Sequence, residues 1–84
     1  MDQRSTDFVE FEHGPIRVAG RDGKVVALST LWLARGFLQE QVVPTAETQE
    51  LIRQMDTASD EAEAQQALRS FCAWADAAGV RVAA

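Results

Sequence analysis

Short stretches rich in apolar residues open the chain and predict an antiparallel sheet. They are "DFVEFE", "IRVA" and "KVVAL", and residues typical of turns separate them. Since alternate residues of a strand share a face, the large apolar residues of these stretches can lie together on one buried face. After "VVAL" the pattern changes to a helical spacing that continues to Gly79. The chain is therefore predicted to place its strands first and its helices second.

The register of the turn at "GRDGK" follows from the residues that must share a face. A two-residue loop would place Arg21 opposite Lys24, which like-charge repulsion disfavours. A three-residue loop with Gly23 in the left-handed region avoids this contact. It also puts the large apolar residues of both strands on one face, which fixes the register: Ile16, Val18, Val26 and Leu28.

An earlier turn is predicted at His13-Gly14, because glycine tolerates the positive φ of a tight turn. This turn makes residues 8–12 the first strand of a three-stranded meander. The inner face of the meander then carries Val9, Phe11, Ile16, Val18, Val26 and Leu28. The outer face is mixed and carries Phe8, Glu10, Glu12, Arg17, Ala19, Val25 and Ala27.

Helix-capping residues divide the second half of the chain into three helices. Ser29 or Thr30 caps the first, over "LWLARGFLQEQ", and Thr45 caps the second, over "AETQELIRQM". Ser59 is predicted to cap the third, which Gly79 ends. The last residues, "VRVAA", form either a short fourth strand or a tail, and both alternatives stay open.

The predicted fold class is therefore α+β. We expect a small three-stranded antiparallel β-meander, packed on one face by two to three α-helices, in the order βββααα with an optional last strand. The 84 residues fit a single domain, 1–84, in which residues 1–6 form a loose N-terminal arm. A hydrophobic content of 46% argues against disorder.

The charge balance narrows the classes of partner. The formal net charge is −5, which opposes generic binding to nucleic-acid phosphates or anionic membranes. No apolar run approaches the length of a membrane-spanning helix, and "MDQRSTD" is unlike a signal peptide. We expect a soluble cytoplasmic protein.

The residues that usually carry chemistry are scarce. The chain has one cysteine, Cys72, and one histidine, His13, so no disulfide forms within it and a Cys/His zinc site is disfavoured. Cys72 lies on the apolar stripe of the third helix, where a small buried hydrophobe is expected. "GRDGK" lacks the spacing of a phosphate-binding loop and leads into a strand. We therefore expect no catalytic residue, no cofactor and no metal.

Two sets of residues are candidates for binding a partner. The first helix is apolar on most of its sides, more than the stripe that a surface helix needs. The first set contains large apolar residues: Trp32, Leu33, Phe37, Trp74, Phe8 and Val25. The second set is an acidic patch that could dock on a basic partner, although helix capping and a solvated face are the favoured interpretation: Asp56, Asp60, Glu61 and Glu63.

These features favour a small acidic, non-catalytic protein-interaction module that binds another chain or itself as a homo-oligomer. Two alternatives stay open. One is an acidic inhibitor that mimics nucleic acid. The other is a nucleic-acid-associated regulator of phage or mobile-element type. It would use a basic cluster: Arg17, Arg21, Lys24 and Arg35.

The strand–turn–strand followed by "LSTLWLARGF" is similar, over a short stretch without a specific motif, to the start of phage KilA-N or antirepressor-type domains.

Overall fold

The domain combines one β-hairpin with three helices. The structure is a computed structural model and describes residues 5–82. A 3-10 helix, Ser5–Phe8, comes first, and the strands β1 (Ile16–Ala19) and β2 (Val25–Leu28) follow. The helices are α1 (Leu31–Glu40), α2 (Ala46–Thr57) and α3 (Glu61–Ala78). The α+β class is confirmed, and the order is ββααα.

The hairpin has the register that the shared apolar face predicts. Val18 lies opposite Val26, and the two strands are antiparallel over their whole length. The Gly20 N–H donates to the Lys24 carbonyl at 2.9 Å, which closes the three-residue loop. Gly23 has φ +84°, as the left-handed loop position requires. The Asp22 carboxylate also accepts the Lys24 N–H at 3.0 Å and rigidifies the turn.

The predicted first strand, residues 8–12, is wrong. The Phe11 N–H donates to the Ser29 carbonyl at 3.2 Å, and the Leu31 N–H donates to the Val9 carbonyl at 3.0 Å. This segment therefore lies along the connection between β2 and α1, and no meander forms. Alternation correctly indicated that Phe11 is buried, but a period of two does not say which backbone a segment pairs with.

The C-terminal segment lies along the edge of β1 that the meander was expected to cover. The Ala19 N–H donates to the Val80 carbonyl at 2.8 Å, and the Val82 N–H donates to the Arg17 carbonyl at 2.9 Å. Only a single bridge forms there, so residues 80–82 extend the sheet without making a further strand. Residues 83–84 of the predicted strand lie outside the described part of the chain.

The predicted N-terminal arm is packed at its described end. Residues 1–4 lie outside the described part, while Ser5 and Thr6 begin the 3-10 helix. Thr6 is buried, and its hydroxyl donates to the Ala58 carbonyl at 3.4 Å. The folded domain therefore starts before residue 7.

Side-chain caps fix where the helices begin. Thr30 accepts the Leu33 N–H at 3.3 Å at the start of α1. Thr45 caps α2, as expected. The predicted Ser59 cap of α3 is wrong, because Asp60 accepts the Glu63 N–H at 2.9 Å. A carboxylate at this position satisfies the free N–H and also places negative charge at the positive end of the helix.

The core is organised around Phe71, which is fully buried on α3. Its ring centroid lies 6.1 Å from that of Phe11, 6.3 Å from that of Phe37 and 5.8 Å from that of Trp74. Tilted and edge-to-face contacts of this kind add to the stabilisation that burial provides. Phe37 and Trp74, two of the candidate partner-binding residues, are only 4% and 8% exposed and therefore belong to the core.

Two glycine-to-alanine substitutions are expected to change stability in opposite directions. A Cβ at position 36, inside α1, would meet no heavy atom within 4 Å apart from its chain neighbours and the backbone of its own helix. Gly36→Ala should therefore raise the free energy of unfolding by up to about 1 kcal/mol. Gly79 ends α3 with φ +76°, so Gly79→Ala should lower it by about 1 kcal/mol. Urea unfolding of both variants measures the difference, and shifts of the same sign would contradict the assigned backbone conformations.

Candidate functional site

Helix α1 divides its apolar residues between the core and the solvent. Its core side carries Leu31, Ala34, Phe37 and Leu38. Trp32 and Leu33 stay 57% and 41% exposed. An ordinary surface helix keeps polar residues at such positions. The apolar surplus expected for this helix is therefore located at these two side chains.

A buried ion pair holds α1 from a second side. Arg35 is only 8% exposed. Its Nη2 donates to Asp7 Oδ1 at 3.0 Å, and its Nη1 donates to Asp56 Oδ1 at 3.2 Å. The guanidinium carbon also lies 5.3 Å from the centroid of the Trp32 ring. Arg35 thus links the N-terminal 3-10 helix, α1 and α2, and it supports the inner side of the exposed indole.

Sequence reasoning missed this role of Arg35. It placed the residue in the basic cluster, with Arg17, Arg21 and Lys24, whereas the structure buries it against two carboxylates. The only signal in the sequence is an arginine surrounded by apolar residues in a short helix. That signal does not identify Asp7 or Asp56 as its partners, because they are distant in the chain.

The outer edge of β2 presents unpaired backbone groups. In an antiparallel ladder, successive residues direct their N–H and C=O groups to opposite sides. Gly20 bonds to Lys24, and Arg17 and Ala19 bond to the C-terminal segment. Val25 and Ala27 therefore direct their backbone groups away from β1. Among residues 5–82, no backbone group is bonded to them on that side.

An apolar groove runs between this edge and α1. Its volume is about 330 Å³. We call it the edge groove and define it by five of its lining residues: Val26, Trp32, Leu33, Gly36 and Phe37. The rest of the lining consists of Ala27, Leu28, Glu40 and Gln41. Val26 is 39% exposed although its cross-strand neighbour Val18 is fully buried. The helices therefore cover the inner face of β1 but leave that of β2 partly open.

Val25 extends the apolar surface to the other face of the sheet. It lies next to Val26 in β2, so the two side chains point to opposite faces. Val25 is 52% exposed. A chain segment laid along the edge of β2 would therefore contact apolar side chains on both of its faces. The sequence indicates Val25, Trp32 and Leu33 as candidate partner-binding residues. In the structure all three lie at this edge.

The other candidate residues lie elsewhere. Phe8 is 73% exposed and lines a shallow pocket with Glu61 beside the start of α3. In the acidic patch, Asp60 caps α3, and the carboxylate of Glu63 accepts the N–H and the hydroxyl of Ser59. Asp56 is committed to the ion pair with Arg35. Capping and ion pairing thus account for most of this patch.

The groups that usually carry chemistry are dispersed. Burial raises the pKa of the Cys72 thiol, and the nearby Arg81 opposes this effect only in part. A raised pKa disfavours the thiolate that nucleophilic catalysis needs. Within residues 5–82 there is no group of three or more His, Cys, Asp or Glu side chains that could hold a metal ion. In the same part of the chain, no helix is both long and apolar enough to cross a membrane.

Comparison with known proteins found no match among protein-family models, curated proteins or solved structures. The candidate site is therefore defined by its own geometry alone.

The two carboxylates that pair with Arg35 should differ in their contribution to stability. The Asp7 side chain is 12% exposed and that of Asp56 is 50% exposed. Asp7→Asn leaves the guanidinium short of a buried counter-charge, so we expect a loss of about 3 kcal/mol in the free energy of unfolding. Asp56→Asn should cost about 1 kcal/mol or less, because water screens an exposed pair. Urea unfolding measures both values, and equal losses would show that Asp7 is not the principal partner.

Proposed function

We propose that this chain is a non-catalytic protein-interaction domain that self-associates through the edge of β2 and the edge groove. The observation that carries the proposal is the exposed apolar surface on both sides of an unpaired strand edge. Proteins normally protect such an edge with a charge, a proline or a bulge, because it is a template for further strand pairing. β2 has the sequence "VVAL" and contains none of these devices.

The edge of β2 is complementary to a second copy of itself. If two β2 strands run antiparallel with a two-fold axis at Val26, Val25 of one copy lies opposite Ala27 of the other. These are the residues whose backbone groups point outward, so each copy satisfies the donors and acceptors of the other. The hairpins then join into one continuous sheet, and an isologous dimer results.

The side chains fit the same arrangement. The two Val26 side chains meet at the axis as a non-hydrogen-bonded pair, in which neighbouring side chains are closest. The edge grooves of both copies then adjoin, so that Trp32 and Leu33 lose contact with water. An exposed Trp is the type of residue that most often dominates an interface.

Charges on the strands do not oppose this pairing. In the register centred on Val26, Lys24 of one copy lies opposite Leu28 of the other, so no like charges face each other across the strands. Glu40 lines the edge groove of each copy and each chain has a net charge of −5, so the two copies repel each other until salt screens these charges. The dimer is therefore expected to strengthen as ionic strength rises.

The nucleic-acid alternatives draw less support from the structure. The basic cluster that they need includes Arg35, which is buried between Asp7 and Asp56. The remaining members, Arg17, Arg21 and Lys24, stand on a chain with an excess of acidic residues. Backbone-phosphate binding usually requires a wider basic surface.

Sedimentation velocity across a range of protein concentrations tests the proposal, with a matched pair of lysine variants. Leu33→Lys puts a charge into the edge groove, while Val43→Lys puts the same charge on a valine that is 61% exposed outside it. We expect the 9.2 kDa wild-type chain to dimerise at micromolar concentration or above. Leu33→Lys should weaken the dimer at least about tenfold, because the two charges would be desolvated together. Val43→Lys should leave the dimer unchanged.

A wild-type protein that stays monomeric up to millimolar concentration would refute self-association. A dimer that both lysine variants weaken equally would place the interface elsewhere. Ala27→Pro adds a backbone test, since it removes an outward N–H without removing a β1–β2 hydrogen bond. It should also weaken the dimer while the monomer stays folded by circular dichroism.

A further inference from the structure

A second concave site lies apart from the edge groove and shares none of its lining residues. It is a cavity of about 400 Å³ between the loop before β1, the middle of α3 and the C-terminal segment. We call it the basic pocket and define it by six of its lining residues: Phe11, Ile16, Leu68, Cys72, Arg69 and Arg81. Cavities of this size are typical of sites for small molecules.

The buried part of the basic pocket is apolar. Phe11 and Ile16 are each 6% exposed, and Leu68 is 1% exposed. Cys72 is half-buried beside them, and burial raises the pKa of its thiol, so at neutral pH it presents an uncharged surface. The pocket therefore offers an apolar wall, with each residue held in place by the core behind it.

The exposed part of the basic pocket carries two arginines. Arg69 precedes Cys72 by one helical turn on α3. Arg81 lies close enough to Cys72 for its charge to act on the thiol. Both side chains thus line the same cavity from two different segments. Each has an exposed carboxylate partner, because Arg69 pairs with Glu12, which also lines the cavity, and Arg81 pairs with Asp76.

Both arginines keep donors for a ligand. Arg69 donates through Nε to Glu12 Oε1 at 3.1 Å. Arg81 donates through Nη1 to Asp76 Oδ2 at 3.4 Å. Both ion pairs are exposed, and water screens them. Neither guanidinium makes another hydrogen bond within residues 5–82, so the terminal nitrogens of Arg69 are open.

We propose that the basic pocket binds a small organic carboxylate with an apolar body. The carboxylate lies between Arg69 and Arg81, because the planar fork of a guanidinium matches a carboxylate with parallel hydrogen bonds. The apolar body lies against Phe11, Ile16 and Leu68. In sites of this kind, a few polar groups that converge on an apolar pocket orient the ligand. This proposal does not depend on self-association.

Three probes separate the two halves of the proposed recognition: phenylacetate, its uncharged amide phenylacetamide, and acetate. Each is titrated into the full chain and followed by backbone amide shifts in heteronuclear NMR. Phenylacetate should bind saturably and shift the amides of Leu68, Arg69, Cys72 and Arg81. Phenylacetamide should bind at least about tenfold more weakly, since a hydrogen bond to a charged group contributes that much or more. Acetate should also bind at least about tenfold more weakly, because it lacks the ring that is buried against the apolar wall.

Reactivity of Cys72 gives an independent readout. Alkylation by iodoacetamide, which carries no charge, should slow when phenylacetate saturates the pocket, because the ligand covers the thiol. Phenylacetamide at the same concentration should slow it much less. An alkylation rate that phenylacetate does not change would contradict binding against this wall.

Matched arginine variants test the assignment of the charges. Arg69→Gln and Arg81→Gln should each weaken phenylacetate binding at least about tenfold. Arg53→Gln is the control, because Arg53 is an exposed arginine paired with Glu50 on α2, outside the pocket. It removes the same charge and should leave binding unchanged. Thermal unfolding of each variant confirms that the fold is kept.

Besides an unchanged alkylation rate, three results overturn the proposal. Phenylacetate fails to saturate, phenylacetamide binds as tightly as phenylacetate, or Arg53→Gln weakens binding as much as the two pocket variants do. The last result would mean that only the overall charge of the chain matters.

Discussion

The ion pair between Arg35 and Asp7 sets the orientation of α1, and the exposed surface of the domain depends on it. The guanidinium and the carboxylate are both almost fully buried. Asp7 therefore cannot lose Arg35 without leaving an uncompensated buried charge, and Arg35 without Asp7 would keep only the half-exposed Asp56. The cluster around Phe71 holds α1 from another direction through Phe37. With both sides occupied, the helix cannot rotate to bury Trp32 and Leu33. The apolar surplus of α1 is thus fixed in a direction that faces solvent beside the edge of β2.

The parts of the fold that local chemistry determines were predictable from the sequence. The register of the hairpin follows from like-charge repulsion at Arg21 and Lys24 and from the shared face of four apolar residues. The start of α2 at Thr45 and the end of α3 at Gly79 follow from capping preferences. The error at Ser59 is of one residue, between two adjacent side chains that both suit a cap.

The sequence did not predict which segments or side chains pair with each other when they are far apart in the chain. Alternation along residues 8–12 indicates which side chains are buried, yet the segment pairs with residues 29–31 instead of β1. The same limit applies to the candidate site. A helix that is apolar on most of its sides indicates surplus apolar surface, but only the packed structure separates the buried Phe37 from the exposed Trp32. Arg35 is the clearest case, because its two carboxylates lie on different elements of the chain.

The edge groove and the basic pocket differ in the chemistry that they offer. The edge groove joins apolar side chains to unpaired backbone groups, which suits a polypeptide strand. The basic pocket joins an apolar wall to two guanidinium groups, which suits a small anion with an apolar body. No residue lines both, so a ligand in one does not compete directly with a chain at the other.

The central claim is that a second copy pairs with the outward side of β2, and amide hydrogen exchange at single residues tests it most directly. The account predicts that the amides of Val25 and Ala27 exchange quickly in dilute protein and slowly in concentrated protein. The amides of Val26 and Leu28 point toward β1 and should be protected at both concentrations. Exchange at Val25 and Ala27 that stays fast in a sample shown to be dimeric would contradict the account.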